Sequence, residues 1–184
     1  DDAEVPFVVM PPVFRMEPGR SQMVRIRQLD PALPADRESL FWINELEVAP
    51  KPDAQQGRPV NYMQLAFRTR IKLFYRPAGL AGGPTMTRER IVATLVRDTN
   101  TNTNTSGWAV QIHNPTPYHL SFTRLSVESA GQVHLQAQDT GGMVAPMQTG
   151  RFALGGQRAP GEGATLLLTV IDDHGASIPL RRPL

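Results

Sequence analysis

"NYMQLAFRTRIKLFYRP" (residues 61–77) decides how the rest of the chain is read. Its odd positions from Met63 to Tyr75 are largely apolar, while Arg68, Arg70 and Lys72 stand on even ones. Side chains alternate faces along a β-strand, so the segment predicts a strand with an apolar face and a basic face. At about 3.3 Å per residue it would run roughly 50 Å, whereas strands average about 5–6 residues. Such a strand overhangs its domain, bends across a boundary, or follows an edge where another chain can pair with it.

The same alternation recurs along the chain. Val24 and Ile26 alternate with arginines; Leu40, Trp42, Leu46 and Val48 share one parity in "SLFWINELEV" (39–48); Trp108, Val110 and Ile112 repeat it. Val133, Leu135 and Ala137 do so again, and "ATLLLTVI" (164–171) reads as a buried strand. The apolar phase slips between Leu120/Phe122 and Leu125/Val127, which predicts a β-bulge. Turn-forming clusters divide the runs: "EPGR" (17–20), "KPDAQQGRP" (51–59), "GLAGGP" (79–84), "TNTNTNTSG" (99–107), "TGG" (140–142) and "APGEG" (159–163). Short alternating strands with frequent turns predict an all-β sandwich. A short helical turn is expected only around "DPALPADRE" (30–38). The Gly/Pro-rich "PAGLAGGP" (77–84) predicts a boundary between two domains, residues 1–78 and 79–184.

Composition narrows the function classes. At 40% hydrophobic residues, the 184-residue chain has material for a real core. Its 17 prolines, about twice the typical share of roughly 5%, argue against long helices. A formal charge of +2 demands neither nucleic acid nor a membrane surface. No cysteine is present, which excludes disulfides, thiolate metal sites and cysteine nucleophiles. No apolar run approaches the roughly 18 residues of a membrane-spanning helix. The first residues lack a signal-peptide pattern, so an exported protein would be represented here by its mature chain or a piece of it.

Catalytic signatures are missing. There is no G-x-S-x-G, P-loop or H-E-x-x-H motif, and His113, His119, His134 and His174 are scattered. "DDH" (172–174) offers two carboxylates and an imidazole, but neighbouring strand residues point to opposite faces, so a solvated turn is expected rather than a metal site. Asn104-Thr105-Ser106 fits a glycosylation acceptor inside a polar hairpin loop, a match that is common by chance. Arg68, Arg70 and Lys72 have no interleaved aromatics on their own face, which reads as a solvated strand face and not a nucleic-acid groove.

Four stretches occur in a meaningful order: "PPVFRMEPG" (11–19), "LPADRESLFWIN" (33–44), "IKLFYRP" (71–77) and "NPTPY" (114–118). Together they resemble the periplasmic pilus and fimbrial assembly chaperones of the chaperone–usher pathway, across almost the whole chain. The resemblance implies two immunoglobulin-like β-sandwich domains set at an angle like a boomerang, with no catalysis and no cofactor. The opening "DDAEVPFVVMPPVF" (1–14) resembles sequence well inside the family's first domain. About three leading strands, and the family's cleft arginine with them, are therefore expected to lack counterparts, leaving the first domain incomplete unless another chain supplies them.

The resemblance also assigns roles. The long strand would be lent to a pilus subunit that lacks its own last strand, a form of strand addition called donor-strand complementation. Met63, Leu65 and Phe67 would be the donated side chains; from alternation alone they read equally as ordinary core. Lys72 matches the cleft lysine that anchors the subunit's C-terminal carboxylate, and by itself reads as a solvated lysine. Arg76 matches an interdomain arginine, with Glu38 and Asp173 as its acidic partners. Implied partners are pilus subunits and an outer-membrane usher, with self-association through the exposed long strand also open. The implied location is the periplasm. The segment "APKPDAQQGRPVN" (49–61) resembles the short-loop branch of the family.

Two other classes stand beside this reading. An immunoglobulin-like adhesion or receptor module would place its apolar surface at loop tips instead of along residues 63–67. A β-sandwich hydrolase would need His and carboxylate side chains converging in one pocket.

Overall fold

The computed structural model describes residues 5–29, 33–49, 63, 65–98, 107–135, 141–155 and 159–184. Packing divides the chain into two units, one ending at Pro34 and one spanning Ala35–Leu184.

In the first unit, β1 (Phe7–Met10) and β2 (Arg25–Gln28) pair antiparallel, with Phe7 opposite Gln28 and Met10 opposite Arg25. The expected turn at "EPGR" is present: Arg20 N–H donates to Glu17 O at 3.1 Å, and Gly19 has φ +72°. Proline followed by a residue of positive φ is the chemistry of a type II turn, and glycine takes that φ without steric cost.

The second unit opens with a ribbon of two ten-residue strands, β3 (Ser39–Val48) and β4 (Ala66–Tyr75). They pair antiparallel from Ser39↔Tyr75 to Val48↔Ala66. The strand expected over 61–77 is thus confined, among the described residues, to Ala66–Tyr75, with Met63 and Leu65 ahead of it. Arg76 and Pro77 follow, and proline, lacking an N–H, cannot continue a ladder. Within β4 the apolar Phe67, Ile71 and Leu73 alternate with Arg68, Arg70 and Lys72 as expected, and the register adds the side chains of β3 to each face. Trp42, Leu46 and Val48 of β3 stand opposite Lys72, Arg68 and Ala66, while Glu45 and Glu47 stand opposite Thr69 and Phe67. Each face of the ribbon therefore mixes apolar side chains with one sign of charge.

The helical turn expected at 30–38 is not seen: residues 30–32 lie outside those described, and 33–38 form bends. Among the described residues the helix is α1 (Thr85–Arg90), entered through Pro84 at φ −57°. Proline's fixed φ suits a helix start. Arg182 closes the other end, with Nη2 donating to Arg88 O at 2.6 Å and Glu89 O at 3.2 Å.

A two-sheet antiparallel sandwich of immunoglobulin-like type follows. Its strands are β5 (Val92–Asp98), β6 (Gly107–His113), β7 (Leu120–Ser129), β8 (Gln132–Leu135), β9 (Gly142–Val144), β10 (Thr149–Ala153), β11 (Thr165–Ile171) and β12 (Ser177–Pro183). One sheet runs β10-β6-β5; the other runs β12-β11-β7-β8, with β9 also on β7. Between them lie Val110, Ile112, Leu120, Phe122, Leu125, Val127, Val144, Leu166, Leu168 and Val170. Phe122 and Phe152 meet edge to face across the sandwich at 5.0 Å.

The expected bulge is present. Thr169 pairs with Arg124 but Val170 with Phe122, so Thr123 is the extra residue and the buried parity of β7 changes there. Strand β11, expected to be fully buried, buries Leu166, Leu168 and Val170 on one face and half-buries the other.

Candidate functional site

An arginine at the end of β4 ties the ribbon to the sandwich. Arg76 Nε donates to Glu38 Oε1 at 2.7 Å, while Nη1 and Nη2 donate to Asp173 Oδ2 and Oδ1 at 2.7 and 3.0 Å. This is a forked pair with Asp173 and a third charged bond to Glu38, which the planar guanidinium is shaped to make. The guanidinium also lies 5.4 Å from the Tyr118 ring centroid. Glu38, Arg76 and Asp173, predicted together, are brought together here.

Glu38 is buried, only 5% exposed, yet its carboxylate is fully engaged. Its second oxygen accepts the backbone N–H of His119 at 2.7 Å and ring Nδ1 at 3.0 Å, and its own N–H donates to Pro117 O at 2.9 Å. Burial by itself would raise its pKa. Hydrogen bonds from the His119 ring and backbone and from Arg76 outweigh burial, and hold the carboxyl below its ordinary value. Asp173 is likewise held low, first by its hydrogen bonds to Arg76. Those bonds in turn push Arg76 further up.

His119 was not singled out by the sequence. What places it is "NPTPY", in which Pro115 and Pro117 leave few backbone donors. The fully buried Asn114 compensates: Nδ2 donates to Tyr118 O at 2.7 Å, Ala145 O at 3.2 Å and Val144 O at 3.3 Å. Its Oδ1 accepts from Thr116 Oγ1 at 2.7 Å and Thr116 N at 3.1 Å. Tyr118 OH then donates toward Gly82 O at 3.2 Å and Leu80 O at 3.4 Å, tying the Gly/Pro-rich segment to the sandwich. A buried asparagine between prolines was the available signal, because a buried polar group must find partners.

Lys72 lies one turn of the alternation before Phe74, whose ring packs 5.1 Å from that of His119. Its Nζ donates to Ser121 Oγ at 3.3 Å, and partial burial pushes the ammonium below its ordinary value. Trp42, across the ladder, carries Arg70 at 4.0 Å and Lys72 at 5.9 Å from its ring centroid. This corrects the expectation that the basic face lacks aromatics: the neighbouring strand supplies one. Among the described residues, no carboxylate lies within ion-pair distance of Arg70 or Lys72. The arrangement is a pair of cations on one strand face, the partly buried Lys72 and the exposed Arg70, stacked on one indole.

Met63, Leu65 and Phe67 are 83%, 57% and 60% exposed. They precede or begin a strand that pairs, among the described strands, only with β3. The "DDH" turn is internally satisfied: Asp172 Oδ1 accepts the backbone N–H groups of His174 and Ala176 at 2.9 and 2.8 Å, and Asp173 is taken by Arg76. Among the described residues no cluster of metal-ligating side chains occurs, and no helix is long and apolar enough to cross a membrane. The expected polar loop at 99–106, its Asn104 acceptor, and the 50–61 segment lie outside the described residues.

Residues 1–81 match the N-terminal domain of the pili and flagellar-assembly chaperones of PapD type, and residues 97–182 match the C-terminal domain of the pili assembly chaperone PapD. The chain belongs to the pilus assembly chaperone family. It is 36% identical to the chaperone protein FimB/FhaD of Bordetella pertussis, over 97% of this chain and 68% of that one. It is equally 36% identical to the probable fimbrial chaperone YadV of Escherichia coli, over 95% of this chain and 68% of that one.

The crystal structure of the YadV chaperone superposes with a TM-score of 0.79 at 32% identity, covering 98% of this chain and 80% of that one. The SafB chaperone of Salmonella enterica, solved in complex with the SafA pilin, superposes at 0.69 with 26% identity, covering 97% and 75%. The relatives are assembly chaperones, not enzymes, and the pilus-chaperone resemblance of the four sequence motifs stands.

Proposed function

We propose that the protein is a periplasmic chaperone that binds pilus or fimbrial subunits by donor-strand complementation and passes them to an outer-membrane usher. In this reading residues 1–78 form the N-terminal chaperone domain and 79–184 the C-terminal one. Met63, Leu65 and Phe67 are the side chains donated to the subunit's groove, and Lys72 holds the subunit's terminal carboxylate. The Glu38–Arg76–Asp173 network sets how the ribbon meets the sandwich. The observation that carries the proposal is the exposed apolar row at 63–67, leading into a strand whose second edge pairs with no described strand. Such an edge is costly to leave open and is what an added strand requires. Before a subunit arrives, a second copy of the chain can occupy the same edge. The complex of the similar SafB with a pilin supports the assignment of a subunit as the partner.

Co-expression with a pilus subunit tests it. The wild-type chain should keep the subunit soluble as a one-to-one complex. Leu65→Glu should lose that complex while its melting temperature is unchanged. Full retention of the subunit by Leu65→Glu would sink the donor-strand assignment.

A further inference from the structure

We propose that Arg70, held on the ring of Trp42, selects partner segments carrying an acidic side chain at the third residue from their C-terminus. This rests on the strand-addition reading above and specifies the chemistry of the segment that is added.

Arg70 and Lys72 are two residues apart on β4, so they share a face and lie about 6.6 Å apart along the strand. Trp42 stands opposite Lys72 in the ladder, and its indole reaches diagonally to Arg70, 4.0 Å from the ring centroid. The aromatic face stabilises a guanidinium next to an ammonium and fixes its direction, leaving its N–H edge available for a carboxylate. The ribbon's own acids do not neutralise this pair. Glu45 and Glu47 stand opposite Thr69 and Phe67, on the other face. Arg68 extends the cationic row but stands opposite Leu46, and among the described residues no aromatic ring lies over it.

Polarity follows from where Lys72 points. Its Nζ meets Ser121, so Lys72 marks the sandwich end of β4. A segment that ends in a carboxylate there, and pairs along the edge of β4 away from β3, runs back toward Ala66 and is parallel to β4. In an extended segment the last residue and the third from the end face the same side, about 6.6 Å apart. That matches the spacing of Lys72 and Arg70. The penultimate residue faces the other side, beside Leu73 and Ile71.

An array of about fifteen-residue peptides, alternating Val and Ser, tests this with the full chain as probe. Peptides end in a free carboxylate or an amide, and carry Glu, Gln or Lys at the third residue from the end. With free termini, Glu should bind about two- to fivefold tighter than Gln, as expected of a partly exposed ion pair, with Lys weakest. High salt should shrink the difference. Arg70→Gln should erase the Glu-over-Gln preference, and Trp42→Leu should reduce it. Equal binding of Glu and Gln peptides, or a preference that survives Arg70→Gln, overturns the proposal and leaves the strand-addition reading standing. Amidated peptides that bind as tightly as free acids overturn the Lys72 anchor instead. Binding of no peptide at all overturns both.

Discussion

Glu38 Oε2 accepts two hydrogen bonds from His119, one from the backbone N–H at 2.7 Å and one from ring Nδ1 at 3.0 Å. Its other oxygen holds Arg76. One buried carboxylate thus links the start of β3, the end of β4 and the loop that enters β7. With the Glu38 N–H to Pro117 O bond, the Lys72–Ser121 contact and the Phe74–His119 ring contact, this carboxylate and its arginine join the ribbon to the sandwich.

Acid should loosen this junction first. Glu38 and Asp173 are both held below their ordinary pKa values in the folded protein, so the unfolded chain takes up protons at a higher pH than the folded one does. Their stabilisation is fully present above the unfolded carboxylate range of about 4, and is lost as pH falls through the folded values. The urea midpoint should hold between about pH 7 and 5 and decline below about 4. Glu38→Gln should lie lower at neutral pH and decline less steeply in acid. An acid decline as steep in Glu38→Gln as in the wild type would place the titration elsewhere.

The two acidic partners of Arg76 should differ in weight. Asp173 is about half exposed, so Asp173→Asn should cost under about 1 kcal/mol. Glu38→Ala strips a buried carboxylate from Arg76 and from the His119 donors, which should cost about 2–4 kcal/mol. Chemical denaturation of both variants reads the difference directly; equal losses would mean that burial does not set the scale here.

Asn114→Ala should be among the more damaging single substitutions in the sandwich. It deprives three backbone carbonyls and the buried Thr116 of a partner, around an Asn114 that is itself fully buried. Unsatisfied buried groups cost about 1–3 kcal/mol each, so a loss of about 3 kcal/mol is expected after relaxation. Weakened binding should follow, since the 114–119 loop presents the groups that hold Glu38. A thermal shift of less than a degree would contradict this account.

Lys72→Ala should leave the fold intact and remove subunit binding. Among the described residues the half-buried ammonium has a hydroxyl but no carboxylate as neighbour, so folding should lose little without it. Loss of a desolvated charged partner from a complex costs about 2–5 kcal/mol, a drop of roughly 30- to several-thousand-fold in affinity. Calorimetric titration with a subunit peptide measures it, and unchanged affinity would reduce Lys72 to a strand-face lysine.

What the sequence determined by itself was whatever depends on neighbours along the chain. Alternation at Trp108, Val110 and Ile112 sufficed for a strand because period two leaves one face for the core. The phase slip between Phe122 and Leu125 sufficed for the bulge, since one extra residue inverts that alternation. The motifs "IKLFYRP" and "NPTPY" carried the family, and with it the pairing of Arg76 with Glu38 and Asp173.

Tertiary structure alone decided whatever depends on register between distant segments. No pattern within 61–77 shows that Trp42 falls beneath Arg70 or that Glu47 falls beside Phe67; a shift of one residue in the β3–β4 pairing would reverse both. The helix at Thr85–Arg90 is six residues long, too short to hold itself by propensity, and it stands because Arg182, 94 positions away from Arg88, closes its end. His119 became part of the site for the same reason. Its ring meets Glu38 across 81 residues of sequence, and only the folded chain brings a buried carboxylate and its donors within 3 Å.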